Sequence, residues 1–194
     1  MPLSKSHKDA TRAKILAAAA ALFRQRGFEG VGIDDIMAAA GLTRGGFYAH
    51  FKSKADLFAK VLAMEPAFTR MLAERQGRTR QDALDGALDV VATYLDPDHI
   101  NYVTTTCPMV SMARDVDHAG AEGRAALTKV VTDLTALLKN GMADTNADKL
   151  DARALSVLAL CVGGATIART AANKQFAAKV LNACEAEAQK LLTK

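Results

Sequence analysis

Tryptophan is absent from this 194-residue chain, and cysteine, proline and aromatic residues are scarce: three Cys, four Pro, seven Phe and three Tyr. The cysteines stand at 107, 161 and 184, an odd number with no C-x-x-C pair, which argues against a disulfide framework or a zinc site. Prolines only at 2, 66, 97 and 108 leave long stretches free to continue as helix. The shortage of aromatics is set against 39 Ala in a chain that is 50% apolar. Strong helix formers stand where a sheet protein would place β-branched and aromatic residues, so the expected fold is all-α. The length allows one or two compact domains, and the composition excludes a disordered or collagen-like chain.

Long hydrophobic runs are lacking too. The longest uncharged stretch, 154–168, has 15 residues between Arg153 and Arg169, short of the roughly 20 that span a bilayer. It reads as a buried helix. The basic N-terminus leads into an amphipathic pattern rather than an apolar signal region. A reduced, cytoplasmic chain without membrane contact is expected. The net charge is a modest +4, yet residues 1–54 carry nine Lys/Arg against four Asp/Glu and the remaining 140 carry 16 against 17. That asymmetry suggests a small polyanion-binding module on a near-neutral body.

Apolar periodicity places the elements. Ile15, Leu16, Ala19, Leu22 and Phe23 form one face of a helix over 9–26, with Ser6 and Asp9 spaced as a capping box and Gly27 as its stop. Ile33, Ile36, Met37 and Ala40 mark a second, two-turn helix. Gly41 stops it, Leu42 plugs the corner, and Thr43 caps a third short helix running to about His50. Ser53 and Asp56 form another capping box, opening a fourth helix with Leu57, Phe58, Val61 and Leu62 apolar. Two short helices joined by a tight glycine turn form a helix-turn-helix. Phe23, Phe28, Phe47, Phe51 and Phe58 supply its core, which leaves Tyr48 on the outside with Arg44 and Ala49. Pro66 kinks or ends the helix that follows. Further helices are expected at about 81–95, 108–118, 121–140, 148–172 and 175–193, about nine in total. The domains are read as 1–54, which holds the helix-turn-helix, 55–80 as a connecting helical region, and 81–194 as a helical body, to which the resemblance described next assigns ligand binding and dimerisation.

The run from Gly27-Phe28 through Ile33-Asp-Asp-Ile36 and Ala39-Ala-Gly41-Leu-Thr-Arg-Gly-Gly-Phe-Tyr48-Ala-His50-Phe51-Lys-Ser-Lys54 resembles the N-terminal signature of TetR/AcrR-type one-component transcriptional regulators. The resemblance covers about 50 residues. It implies a homodimer that binds double-stranded operator DNA and releases it when a small molecule enters a C-terminal helical bundle, with the last two helices forming the dimer interface. Carried over position by position, Thr43 caps the recognition helix and touches phosphate, and Arg44 reads base edges. Gly45 and Gly46 admit the backbone to the groove, while Tyr48, His50 and Lys54 bond phosphates. Ala49 and Lys52 complete the DNA-facing set. Gly32 and Gly46 depart from the pattern, since hydroxyl side chains are common at both positions.

The residues carry the same reading on chemical grounds. A helix entering the major groove needs short side chains where it approaches, a long donor to read a base and donors at its flanks for phosphate; Thr43–Lys54 supplies these and no acid. Arg44 can donate two bonds to guanine, or remain a solvated or phosphate-clamping arginine. Lys5, Lys8, Arg12 and Lys14 form either a solvated helix face or further phosphate contacts.

Phe68, Tyr94, Tyr102, Cys107, Met109 and Met112, with Thr104–Thr106, are candidates for a ligand pocket or plain core. Cys107 stands beside Pro108, either as a small hydrophobe or as a redox- or electrophile-sensing thiol. An enzyme using Cys107 as nucleophile with His99 or His118 as base, and a helical scaffold without DNA affinity, are the rival classes. No catalytic residue, cofactor or metal is assigned, because Asp115, Asp117 and His118 face different ways on a solvated helix end. The helices over 152–172 and 176–192 are either a dimer interface, eased by the small Gly163-Gly164 pair, or buried within one chain.

Overall fold

The computed structural model describes residues 5–64, 66–97 and 107–194, and all regular structure among them is helical. Contacts divide the chain into two compact units, residues 1–64 with 111–127 and residues 65–110 with 128–194.

In the first unit, α1 (Lys5–Arg26) turns Ile15, Ala19, Ala20 and Phe23 inward. It begins earlier than its periodicity suggests, so Ser6 lies inside the helix rather than capping it. Gly27, at φ 72°, ends it by donating its N–H to the Phe23 carbonyl. Helix α2 (Ile33–Ala39) buries Ile36 and Met37, and the Gly32 N–H donates to the Asp35 carboxylate at 2.8 Å. Its end is a Schellman motif: Gly41, at φ 69°, donates to Ala38 and Leu42 donates to Met37. The expected third helix is a 3-10 helix (Arg44–Ala49) anchored by fully buried Phe47. In α3 (Lys54–Leu62) Ser53 accepts the Asp56 N–H as expected, but the Asp56 carboxylate takes the N–H of Lys52 rather than that of Ser53.

The aromatic side chains lock these elements together. Phe58 meets Phe23 edge-on at 4.9 Å and Phe28 at 5.2 Å. A later segment completes this core. A second 3-10 helix (Ala113–Ala119) and the first turns of α7 (Gly120–Lys139) contribute Met112, Val116, Ala119, Ala126 and Leu127 to it. The expected division at 54 and 80 therefore moves, since α3 and residues 111–127 pack with the N-terminal helices. The expected helix over 108–118 is also corrected: it is a single turn, α6 (Pro108–Ser111), followed by that 3-10 helix.

In the second unit Pro66 ends the preceding helix instead of kinking it and stands as N-cap of α4 (Ala67–Glu74). Helix α5 (Arg80–Tyr94) opens with a full Thr79/Asp82 capping box. Helices α8 (Ala147–Thr170) and α9 (Lys174–Thr193) start with Asn146 and Asn173 caps. They run antiparallel, because Arg153 near the start of α8 donates to the Leu191 carbonyl near the end of α9 at 2.8 and 3.0 Å. Gly164 lets them close in; a Cβ there would lie 2.8 Å from Cys184 Sγ. Helix α8 is not the buried helix its apolar run suggests. It buries Ala154, Val157, Cys161, Gly164, Ala165 and Ala168, but exposes Leu155 and Ile167, and by length and composition alone it could cross a membrane.

Candidate nucleic-acid interface and ligand cavity

The turn after α2 presents the first candidate site. Phe47 and Phe51 point into the core, which turns Thr43, Arg44, Gly45, Tyr48 and Ala49 outward, with Lys52 beside them. The Tyr48 ring is 63% exposed and touches Phe47 only edge-on, at 5.2 Å. A tyrosine so placed offers its hydroxyl to something outside the chain. A Cβ added at Gly45 would meet nothing within 4 Å, so no packing inside the unit requires glycine there. Glycine at a helical position costs about 0.5–1 kcal/mol relative to alanine; a missing side chain on an outward face leaves room for the close approach of another molecule. Gly46 faces inward, where an added Cβ would lie 3.7 Å from Met37 Cε. Thr43 is the N-cap by position only, since its side chain makes no capping bond and its hydroxyl stays exposed.

Three basic residues are placed differently from expectation. Lys54 was expected at a phosphate, yet its ammonium donates to the carbonyls of Phe28 and Val31 at 3.0 and 3.1 Å and lies 4.1 Å from the Phe28 ring centre. Two of its three donors thus hold the α1–α2 connection, whose carbonyls would otherwise lack partners. Arg12 donates to the His50 carbonyl at 2.7 Å and stacks over Phe51, so it braces the end of the 3-10 helix. Arg44 pairs with Asp34 at 2.6 Å, both side chains being about two-thirds exposed. Asp34 escaped sequence reading as a partner; it lies ten residues away on α2, and only the sharp turn brings the two together. His50 keeps its Nδ1 buried without a hydrogen bond. Partial burial, then Lys8 and Arg12, push its pKa below the ordinary value. Lys8 and Lys14 are exposed, and the Lys5 side chain lies outside the described residues.

Asp115 and His118 are not a solvated helix end. Asp115 accepts the Phe28 N–H at 2.9 Å, and the His118 ring stacks at 4.3 Å on the Phe28 ring that Lys54 also approaches. Sequence periodicity gives no hint of this, because the contact joins segments 87 residues apart.

The second candidate site is a cavity inside the other unit. Phe68, Tyr94, Cys107 and Met109, candidates for a ligand pocket or plain core, line it together with residues of α4, α5, α7 and α8. Its free volume is about 40 Å³, and about 410 Å³ not filled by atoms lies in and in front of it, part of it open solvent. Met112 does not belong to it: this side chain is fully buried in the aromatic core of the first unit. Tyr102, Thr104–Thr106 and His99 lie outside the described residues. Leu134, Val157 and Cys161 were missed, since nothing but burial marks them. Cys107 is 2% exposed and lies beside the Tyr94 hydroxyl. His118, the other base considered for it, stacks on Phe28 in the first unit.

The chain is similar to known proteins in sequence and in fold. Residues 15–61 match the family model described as bacterial regulatory proteins, tetR family. The uncharacterized HTH-type transcriptional regulator YfiR of Bacillus subtilis is 30% identical over 112 residues, covering 53% of this chain and 55% of that protein. The HTH-type transcriptional regulator AcrR of Shigella flexneri is 43% identical over 58 residues, covering 30% of this chain and 27% of that protein. The aligned part of the chain thus spans about half of the first relative and about a quarter of the second. A TetR transcriptional regulator from Chloroflexus aurantiacus has the same fold over 94% of both chains, with a TM-score of 0.73 and 26% identity. The matched segment lies on the observed helix-turn-helix and the fold is shared along almost the whole length, so the chain is similar to the tetR family of bacterial regulatory proteins in its N-terminal segment and to TetR regulators in fold.

Proposed function

We propose that this protein is a ligand-controlled DNA-binding regulator, a repressor that holds operator DNA as a homodimer and leaves it when a small molecule occupies the cavity of the second unit. The outward face of the recognition turn carries the reading. Thr43, Arg44, Tyr48 and Lys52 are donors with free access to solvent, around a glycine that the unit's own packing does not need. Donors flanking a close-approach point suit phosphates and base edges.

The exposed apolar residues of the last two helices support the dimer. Leu155, Ile167 and Phe176 are 47%, 51% and 52% exposed, and apolar groups on adjoining helices gain from being covered by a second copy. A cytoplasmic location follows from the DNA partner. Ligand control follows by linkage: a molecule favouring the conformer that fits DNA poorly lowers DNA affinity by the same factor that DNA lowers its own binding.

The decisive experiment is retardation of the DNA flanking the protein's own gene. Saturable binding by two protomers, weakening steeply between 50 and 200 mM salt, is expected. No binding even at low salt overturns the proposal.

A further inference from the structure

We infer that the cavity of the second unit is a site for one thiophilic monovalent metal ion of the copper(I) class, held by the thiolates of Cys107 and Cys161 with the Met109 thioether as a third, weaker donor. All three residues line the same space, although α8 brings Cys161 from far along the chain. The two thiols interact electrostatically with each other, and neither is in a disulfide. Cys184, the remaining cysteine, does not line the cavity; it sits where α8 and α9 meet, next to Gly164.

Size and lining both favour such a guest. The free volume of about 40 Å³ is little more than the roughly 30 Å³ that one water molecule takes up in the liquid, so it admits an ion or another guest of very few atoms. Among the described residues no oxygen or nitrogen surface faces it. Water finds no hydrogen-bonding partner in such a space and leaves it dry. Hard cations need a shell of oxygens, and zinc takes four ligands, so neither finds its donor set. Sulfur is what the wall offers, and thiolate with thioether selects copper(I).

Binding exchanges protons for the ion. Each thiol gives up its proton to solvent, a sulfur–metal bond takes its place, and no electron is transferred. Two thiolates around one monovalent cation leave a single negative charge in an apolar surrounding, which needs a partner. Arg169 supplies it: its guanidinium acts electrostatically on Tyr94 and lies 3.5 Å from the carbonyl of Val110, the neighbour of Met109. The Tyr94 hydroxyl, beside Cys107, has a proton to donate to the thiolate.

The test titrates the full-length protein, reduced and under argon, into the coloured bicinchoninate complex of copper(I). Transfer of one ion per chain is expected, with release of both thiol protons and a shift of the Met109 methyl resonance in 13C-methionine-labelled protein. X-ray absorption at the copper edge should show sulfur neighbours only. Cys107→Ala and Cys161→Ala should each weaken retention at least about a hundredfold, Met109→Leu and Arg169→Gln about tenfold, and Cys184→Ala less than about twofold. No transfer from bicinchoninate, nitrogen or oxygen neighbours, an unmoved Met109, zinc(II) held as firmly as copper(I), or loss of the ion in Cys184→Ala overturns the inference. The readouts on the unaltered chain keep it open to refutation even where a variant fails to fold.

The metal site does not need the DNA reading, but its regulatory use rests on the cavity being the controlling ligand site. Copper(I) held by a protein whose DNA affinity it leaves unmoved keeps the metal site and removes control through this cavity. DNA binding by a protein that retains no copper(I) does the reverse, removing the metal site and keeping the regulator.

Discussion

The two units solve opposite problems with different residues. The first encloses a core of Phe23, Phe28, Phe47, Phe51 and Phe58 and leaves polar donors outside. The second is built on Ala, Leu, Val and Cys around unfilled space, and it leaves Leu155, Ile167 and Phe176 outside. Rigid rings with few rotamers fix the position of an outward face, which a groove reader needs. Aliphatic walls with a void leave room for a guest and a neighbour.

The contrast predicts unequal costs of truncation. Phe58→Ala should destabilise by about 3–5 kcal/mol, because it removes two ring contacts from a closed core. Leu138→Ala, at the cavity wall, should fall at the low end of about 2–5 kcal/mol, since its side chain already borders empty space. Urea denaturation of both variants checks this. Equal or inverted losses would mean that the cavity is closed in solution and the comparison wrong.

A second break point lies in the basic residues. Lys54→Ala should cost about 1.5–3 kcal/mol of stability, the usual worth of hydrogen bonds to a charged group, and leave the salt dependence of DNA binding unchanged. Lys52→Ala should do the opposite, flattening that slope by about 0.9 per subunit with little effect on stability. A flatter slope in Lys54→Ala would return this lysine to the phosphate role suggested by its family position.

Legibility followed the same division. The helix-turn-helix could be read because local signals set it: Gly41 for the left-handed stop, Phe47 and Phe51 for the inward face, and Tyr48 as the neighbour forced out. Contacts joining distant segments could not. Asp115 beneath Phe28, Met112 in the aromatic core and Asp34 beside Arg44 all depend on where the chain returns, and periodicity carries no record of that. In the second unit, Phe68, Tyr94, Cys107 and Met109 were legible as unusual residue types in an aliphatic region. Val157 and Leu134 look like any core position, so the remaining wall stayed hidden.

The Arg44–Asp34 pair sharpens what the outward face does. Exposed ion pairs are worth about 0–1 kcal/mol, so DNA can displace Asp34 at small cost. While the pair lasts, the guanidinium is held off random phosphates. Asp34→Asn should therefore raise affinity for random DNA by up to about fivefold and narrow the gap between operator and random sequence. Arg44→Ala should cost more, about 1–3 kcal/mol of discrimination at one position per half-site. Fluorescence anisotropy on both DNA types decides; if Asp34→Asn leaves the ratio untouched, the pair is incidental.

The smallest effect expected is on pH, at His50. Its folded pKa lies below the ordinary 6.5, through partial burial and then the charges of Lys8 and Arg12. The folded state therefore binds fewer protons there than the unfolded chain. The stability this supports is present above about pH 6.5 and is lost as pH falls through the folded pKa. DNA alters the balance, because phosphates near the recognition turn offset the charges of Lys8 and Arg12 and lift the same pKa. Binding should then take up a proton, so operator affinity rises modestly from pH 7.5 to pH 6 even while the free protein loses stability. Paired titrations of the wild type and His50→Gln resolve the two trends. Both should weaken in the variant; if neither does, His50 is a spectator on a face whose charges are set by arginine and lysine alone.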